Sequence, residues 1–189
     1  MNILHSAALA ALLVISVPSL AFAHHGVLHT GCPVSQTFTA GGITVTGAFV
    51  RATAKGAKSA GGYLTITNAG AASDTLTGAA SEAATDIGVH QMKMNGDVME
   101  MSPVEGGLAI PAGGSVVLAP GGYHLMLTGM EQQFVEGQCV EMTLHLAVAG
   151  DLPIELNVGG MGQKVPPVAG QPGDATSMEM DDMPSMEMN

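Results

Sequence analysis

Positive charge is scarce in this chain: five Lys and Arg stand against sixteen Asp and Glu, for a formal net charge of −11. Such a protein has no electrostatic driving force toward nucleic-acid phosphates or an anionic membrane surface. It suits a cationic cargo or a basic partner instead. Cysteine is also rare, with only Cys32 and Cys139 and no C-x-x-C motif. In an exported protein such a pair fits one disulfide that pins the N-terminal arm to the body. The alternative is a thiol pair used for metal binding or for redox chemistry, the latter making the protein a thiol-disulfide reductase. The sequence further lacks a Ser-His-Asp arrangement, a phosphate-binding loop and paired carboxylates placed for hydrolysis, so no enzyme is expected. The main long apolar run, residues 9–22, is short for a membrane span and is followed by no stop-transfer pattern. It ends in Ala21-Phe22-Ala23, an A-x-A cleavage pattern, although its n-region carries no Lys or Arg. A signal peptide over residues 1–23, cleaved after Ala23, would leave His24 first and involve no membrane insertion afterwards. Cys32 lies too far beyond the run to serve as a lipoprotein cysteine.

What remains reads as short strands between Gly, Pro and Asn turns. Period-two or strand-length runs occupy residues 43–49, 63–67, 74–77, 87–94, 98–101, 115–118, 124–127, 139–148 and 154–158. Their spacing, and the lack of a sustained helical stripe outside the signal, predict an all-β sandwich or barrel. Pro111, Pro120 and Pro153 are expected at strand edges or turns, where a missing N–H is tolerated. The domain division is a signal over 1–23, an N-terminal arm over 24–42, a β-sandwich body over 43–158, and a linker with tail over 159–189.

Within the body, His90, Met101, His124 and Met126 form the pattern H-x10-M-x22-H-x-M. Thioether sulfur is soft and uncharged and imidazole is borderline, a mixture that selects Cu(I) and competes poorly for Zn(II). Asn95-Gly96 is a strong hairpin signal. A two-residue turn there would set Met94 against Asp97, Met92 against Met99 and His90 directly opposite Met101, with partner Cβ atoms about 5 Å apart. His124 and Met126, at i and i+2, would point to one side of a strand. Met92 and Met94 share the hairpin face with His90 and are substitute ligands. Met99 and Met142 read as packing, and His145 as solvent-exposed.

The run 89–101 (VHQMKMNGDVMEM), with 110–114 (IPAGG) and 118–127 (LAPGGYHLML), resembles the PCuAC family of periplasmic copper chaperones. The match extends through 48–53, 61–68 and 140–144 and covers about residues 43–158. The family motif is H(M)x10Mx21HxM; here the middle gap is one residue longer. The resemblance implies a cupredoxin-like, Ig-like antiparallel β-sandwich. It also implies a periplasmic location and a Cu(I) site made by His90, Met101, His124 and Met126. The function it implies is delivery of copper during assembly of cytochrome c oxidase, with an assembly factor or oxidase subunit as the copper-accepting partner. The rival of the same chemistry is a periplasmic copper buffer or resistance protein.

Two further segments carry ligands. The C-terminal stretch alternates Met178, Met180, Met183, Met186 and Met188 with acids and follows a Pro/Gly linker. It is expected to be a disordered arm that captures copper through thioethers, more weakly than a preformed site because chain entropy is lost on closing. It has no histidine, which disfavours Cu(II) there. At the other end, His24 as the first residue offers an α-amine and an imidazole to one Cu(II), with His25 and His29 nearby.

Overall fold

The computed structural model describes residues 28–33 and 35–167. The signal segment, His24 and the methionines from Met178 to Met188 lie outside the described residues. Twelve strands carry the described chain: β1 (Leu28–Thr30), β2 (Thr37–Ala40), β3 (Ile43–Arg51), β4 (Ser59–Asn68), β5 (Asp74–Ala80), β6 (Asp86–Asn95), β7 (Val98–Pro103), β8 (Leu108–Ile110), β9 (Ser115–Leu118), β10 (Tyr123–Thr128), β11 (Gln138–Leu146) and β12 (Gly150–Gly159). The described residues contain no helix.

The alternation that marks these strands in the sequence is a burial pattern in space. In β11, Val140, Met142, Leu144 and Leu146 are buried while Glu141, Thr143 and His145 face outward. Each fully buried Leu or Val contributes roughly 1.5–3 kcal/mol by leaving water. The strands follow the order β7-β6-β10-β9-β4-β3-β12-β11-β5-β8, with β1 on β11, β2 on β3, and β10 also paired to β4. The path folds over itself, so that β5 near one end packs beside β6 near the other. Leu76, Ile87, Val89, Ile110, Leu125, Leu127, Met142 and Leu156 meet in one core between the two layers. The result is a β-sandwich.

Two ladders depart from the expected antiparallel plan. β12 runs parallel to β3, and β10 meets β9 in a parallel pair at Tyr123 and Leu118. Pro153 lies within β12, opposite Thr143, where one side of the strand is an edge, as expected. It is tolerated because β3 pairs with β12 only at Asn157–Gly159, leaving one side of Pro153 without a ladder. β11 ends at Leu146, short of the expected 148, where Ala147 N–H donates to the Thr75 carbonyl and the chain turns.

The N-terminal arm is built into the sheet. β1 pairs with β11, placing His29 opposite Cys139. Cys32 and Cys139 form a disulfide with Cα atoms 5.7 Å apart, spanning 107 residues. Closing a loop of that order removes unfolded-chain entropy worth roughly 4–5 kcal/mol. Beyond β12, residues 160–167 return to the body. Arg51 Nε donates to the Gln163 carbonyl at 2.7 Å, and Pro166 packs over Gly47.

Candidate metal centre

β6 and β10 lie side by side and antiparallel, in a register that sets His90 directly opposite His124 and Met126 opposite Gly88. Ile87 and Val89 on β6, and Leu125 and Leu127 on β10, point into the core. Period two therefore turns His90, His124 and Met126 to the other face together. The two imidazole centroids are 6.0 Å apart, with the ring planes tilted by 50°. An ion about 2 Å from a ligating nitrogen sits about 3 Å from that ring's centre. Two rings at this separation can therefore share one ion after a small rotation.

The hairpin corrects one expectation. Asn95 pairs with Val98, leaving Gly96 and Asp97 as the two-residue loop. Gly96 has φ of +61° at the first loop position, where a type II′ turn places glycine. The ladder is consequently offset from the one expected: Met92 faces Met101, Met94 faces Met99, and His90 faces Pro103. Met101 is diagonal to His90, roughly 7–8 Å away by strand geometry and within reach of a long side chain. The offset is an even number of residues, so all these side chains keep their common face. Met99 is corrected too. It is 50% exposed on that face and is not a packing residue, whereas Met142 at 3% is. His145 is partly exposed and pairs with Asp151 at 2.7 Å.

One nitrogen donor is preset by a hydrogen bond. His124 is buried, and its Nδ1 donates to the Gly122 carbonyl at 3.2 Å. A carbonyl can only accept, so the proton sits on Nδ1 and Nε2 keeps its lone pair for a ligand. The same carbonyl accepts from Met92 N–H at 3.1 Å, tying the β6 ladder to the turn before β10. His90 Nδ1 is buried with no hydrogen-bond partner. A buried, unpaired polar atom costs roughly 1–3 kcal/mol, and coordination or a proton-accepting ligand would relieve it. This orphaned nitrogen, the lone pair on His124 and the thioethers beside them fit a soft or borderline metal.

Sulfur is supplied with less burial. Met101 is 48% exposed on β7, an edge strand whose six residues are all exposed. Met126 and Met92 are half-buried. Met94, 61% exposed, stands two residue pairs further from His90 than Met92 and Met101 do.

Two positioning residues carry no ligand chemistry in the sequence and were not singled out there. Gly88 has no side chain where the His90 ring leans; a Cβ would lie 3.4 Å from His90 Nε2. Gly122 acts through its carbonyl. The only sequence signal for Gly122 was the Pro120-Gly-Gly turn, and for Gly88 there was none.

Comparison with known proteins gives a consistent picture. Residues 43–158 match the family described as "Putative lipoprotein LpqE-like". The "Putative lipoprotein Lxx21020" of Leifsonia xyli subsp. xyli (strain CTCB07) is 32% identical over 136 residues, covering 68% of this chain and 81% of that protein. Among solved structures, the fold is similar to the "Copper-bound PCuAC domain from PmoF2", with a TM-score of 0.55 and 25% identity over 65% of this chain and 97% of that one. It is also similar to the "Apo PCuAC domain from PmoF1", with a TM-score of 0.57 and 26% identity over 66% and 99% of the two chains.

Proposed function

The chain belongs to the PCuAC-type, LpqE-like family, and from that premise we propose that it is an exported Cu(I)-binding metallochaperone. The observation that carries this reading is the direct opposition of His90 and His124 on one sheet face that also bears Met126, Met92 and Met101. Neutral N and S donors hold Cu(I) without any thiolate deprotonation.

Transfer follows from the unequal burial of the donors. His124 is buried and Met101 is half exposed at an edge. A partner's cysteine or methionine sulfur displaces Met101 first, then Met126, while the imidazoles hold the ion until the partner's ligand set is complete. The partner is a copper-accepting assembly factor or oxidase subunit, the destination is a cytochrome c oxidase copper centre, and the setting is the periplasm. The tail methionines serve as a looser secondary store.

One structural fact weighs against the reductase role. Cys139 is fully buried in its disulfide, which denies a thiol nucleophile access and disfavours a thiol-disulfide reductase. Cys32, its partner in that bond, is not free either. Among the described residues no helix is long and apolar enough to cross a membrane.

The test is an anaerobic Cu(I) competition titration of the protein from His24 onward. One tight equivalent, lost in the His90→Ala and His124→Ala variants, is expected. Retention of tight binding in both variants would overturn the assignment. Transfer of the bound ion to a soluble copper-accepting oxidase domain then separates a chaperone from a buffer.

A further inference from the structure

A second group of ligating side chains gathers on the outward face of β11 and β12, separated from the His90–His124 pair in sheet order by β9, β4 and β3. Glu141 and Glu155 are direct cross-strand partners. Like charges set opposite each other in a sheet repel, so this pairing calls for a cation. His29 on β1 is placed over them, with Nε2 3.5 Å from Glu155 Oε1 and 3.8 Å from Glu141 Oε1. The three ligand atoms lie within 4.8 Å of one another.

We propose that His29, Glu141 and Glu155 form a second metal site, selective for a borderline divalent cation such as Zn(II) or Cu(II). The donor set decides the selectivity. One imidazole and two carboxylates supply N and O and no sulfur, the opposite of the His/Met face, and such sets favour divalent ions over Cu(I). Ligand atoms about 2 Å from a common ion stand about 3–3.5 Å apart in a tetrahedral site, so only a slight side-chain closure is needed. The side chains of His29, Glu155 and Glu141 are 25%, 31% and 45% exposed, which leaves the ion reachable and a fourth position open to water.

Two supports outside the ligand set hold the geometry. Gln36 Nε2 donates to Glu155 Oε2 at 3.0 Å, leaving Oε1 turned to His29, the usual way an outer partner orients a ligating carboxylate. The Cys32–Cys139 disulfide locks the N-terminal arm so that His29 stays opposite Cys139, one same-face step from Glu141. The site therefore exists only when the arm is docked.

Zn(II) is the discriminating probe, because thioethers compete poorly for it. Zn(II) is titrated into the protein from His24 onward, and into His29→Gln and the Glu141→Gln/Glu155→Gln double variant. Cu(I) affinity is measured on the same samples. Loss of one Zn(II) equivalent, or weakening by roughly tenfold or more, is expected in both variants, with Cu(I) affinity unchanged. Equal Zn(II) affinity in all three proteins would mean that the cluster is an ion pair only, and would overturn the proposal. In case a variant folds poorly, the His29 imidazole ¹⁵N resonances of the unsubstituted protein are followed during the titration. A shift at Nε2 supports the site, and an unmoved resonance at saturating Zn(II) rejects it. Zn(II) at His29 without tight Cu(I) binding would sink the chaperone reading and leave this site standing.

Discussion

The β6–β10 ladder and the β6–β7 hairpin share a strand and a face, yet they present their candidate ligands in different ways. The ladder lies inside the sheet, with His124 buried and its tautomer fixed by the Gly122 carbonyl. The hairpin ends at an edge strand, where Met99 and Met101 are about half exposed. The His124 nitrogen is thus oriented and the hairpin sulfurs are left within reach of a partner. A protein that must bind an ion and then give it up gains from that division, since the accessible ligands leave first and the oriented one keeps the site selective.

Removing a candidate ligand from the ladder has the largest expected effect. His124→Ala is expected to weaken Cu(I) binding by roughly a hundredfold or more, about 2.7 kcal/mol, in a competition titration. Met101→Ala should cost less, roughly tenfold or about 1.4 kcal/mol, because Met92 stands directly opposite and can substitute. The Met92→Ala/Met101→Ala pair should lose more than the sum of its single effects, and strict additivity would show that the two thioethers do not replace one another. Gly88→Ala sharpens the contrast further. A methyl group beside His90 Nε2 should weaken Cu(I) by several-fold, roughly 1 kcal/mol, with little change in thermal unfolding. A fall in stability with unchanged affinity would place Gly88 in packing alone.

The smallest expected effect lies outside both regions, and it tests the frame that carries them. Burial would raise the Asp74 carboxyl, but N–H groups of Val148, Ala149 and Thr75 bond it and hold it below the ordinary carboxylate value. A depressed folded value means stability that is present above the unfolded pKa of about 3.9 and is lost as pH falls through the folded one. The urea midpoint should therefore fall from about pH 4 downward, and less steeply in Asp74→Asn. Identical acid profiles would remove Asp74 from the account.

Much of the body was legible because its signals are local. The alternation in residues 43–46 and 140–146 is a burial pattern before it is a structure, and all nine expected strands exist. The short strands β1, β2 and β8 were missed. Their existence depends on a neighbour to pair with. The turn at Asn95-Gly96 was seen, but its register was not, because glycine's positive φ suits more than one loop position. The even offset preserved the ligand face, and so the set His90, Met101, His124 and Met126 remained together on it.

The kinds of ligand, the spacing that puts His124 and Met126 on one side of a strand, and the acidic balance belong to the sequence alone. They follow from side-chain chemistry and the two-residue period of a strand. That His90 meets His124, that Met92 and not His90 faces Met101, and that His29 lies over Glu141 and Glu155 were decided by the tertiary structure. The first and third are pairings between strands far apart in the chain, fixed by how the buried faces close on one core, and the second was set by which two residues form the loop between β6 and β7.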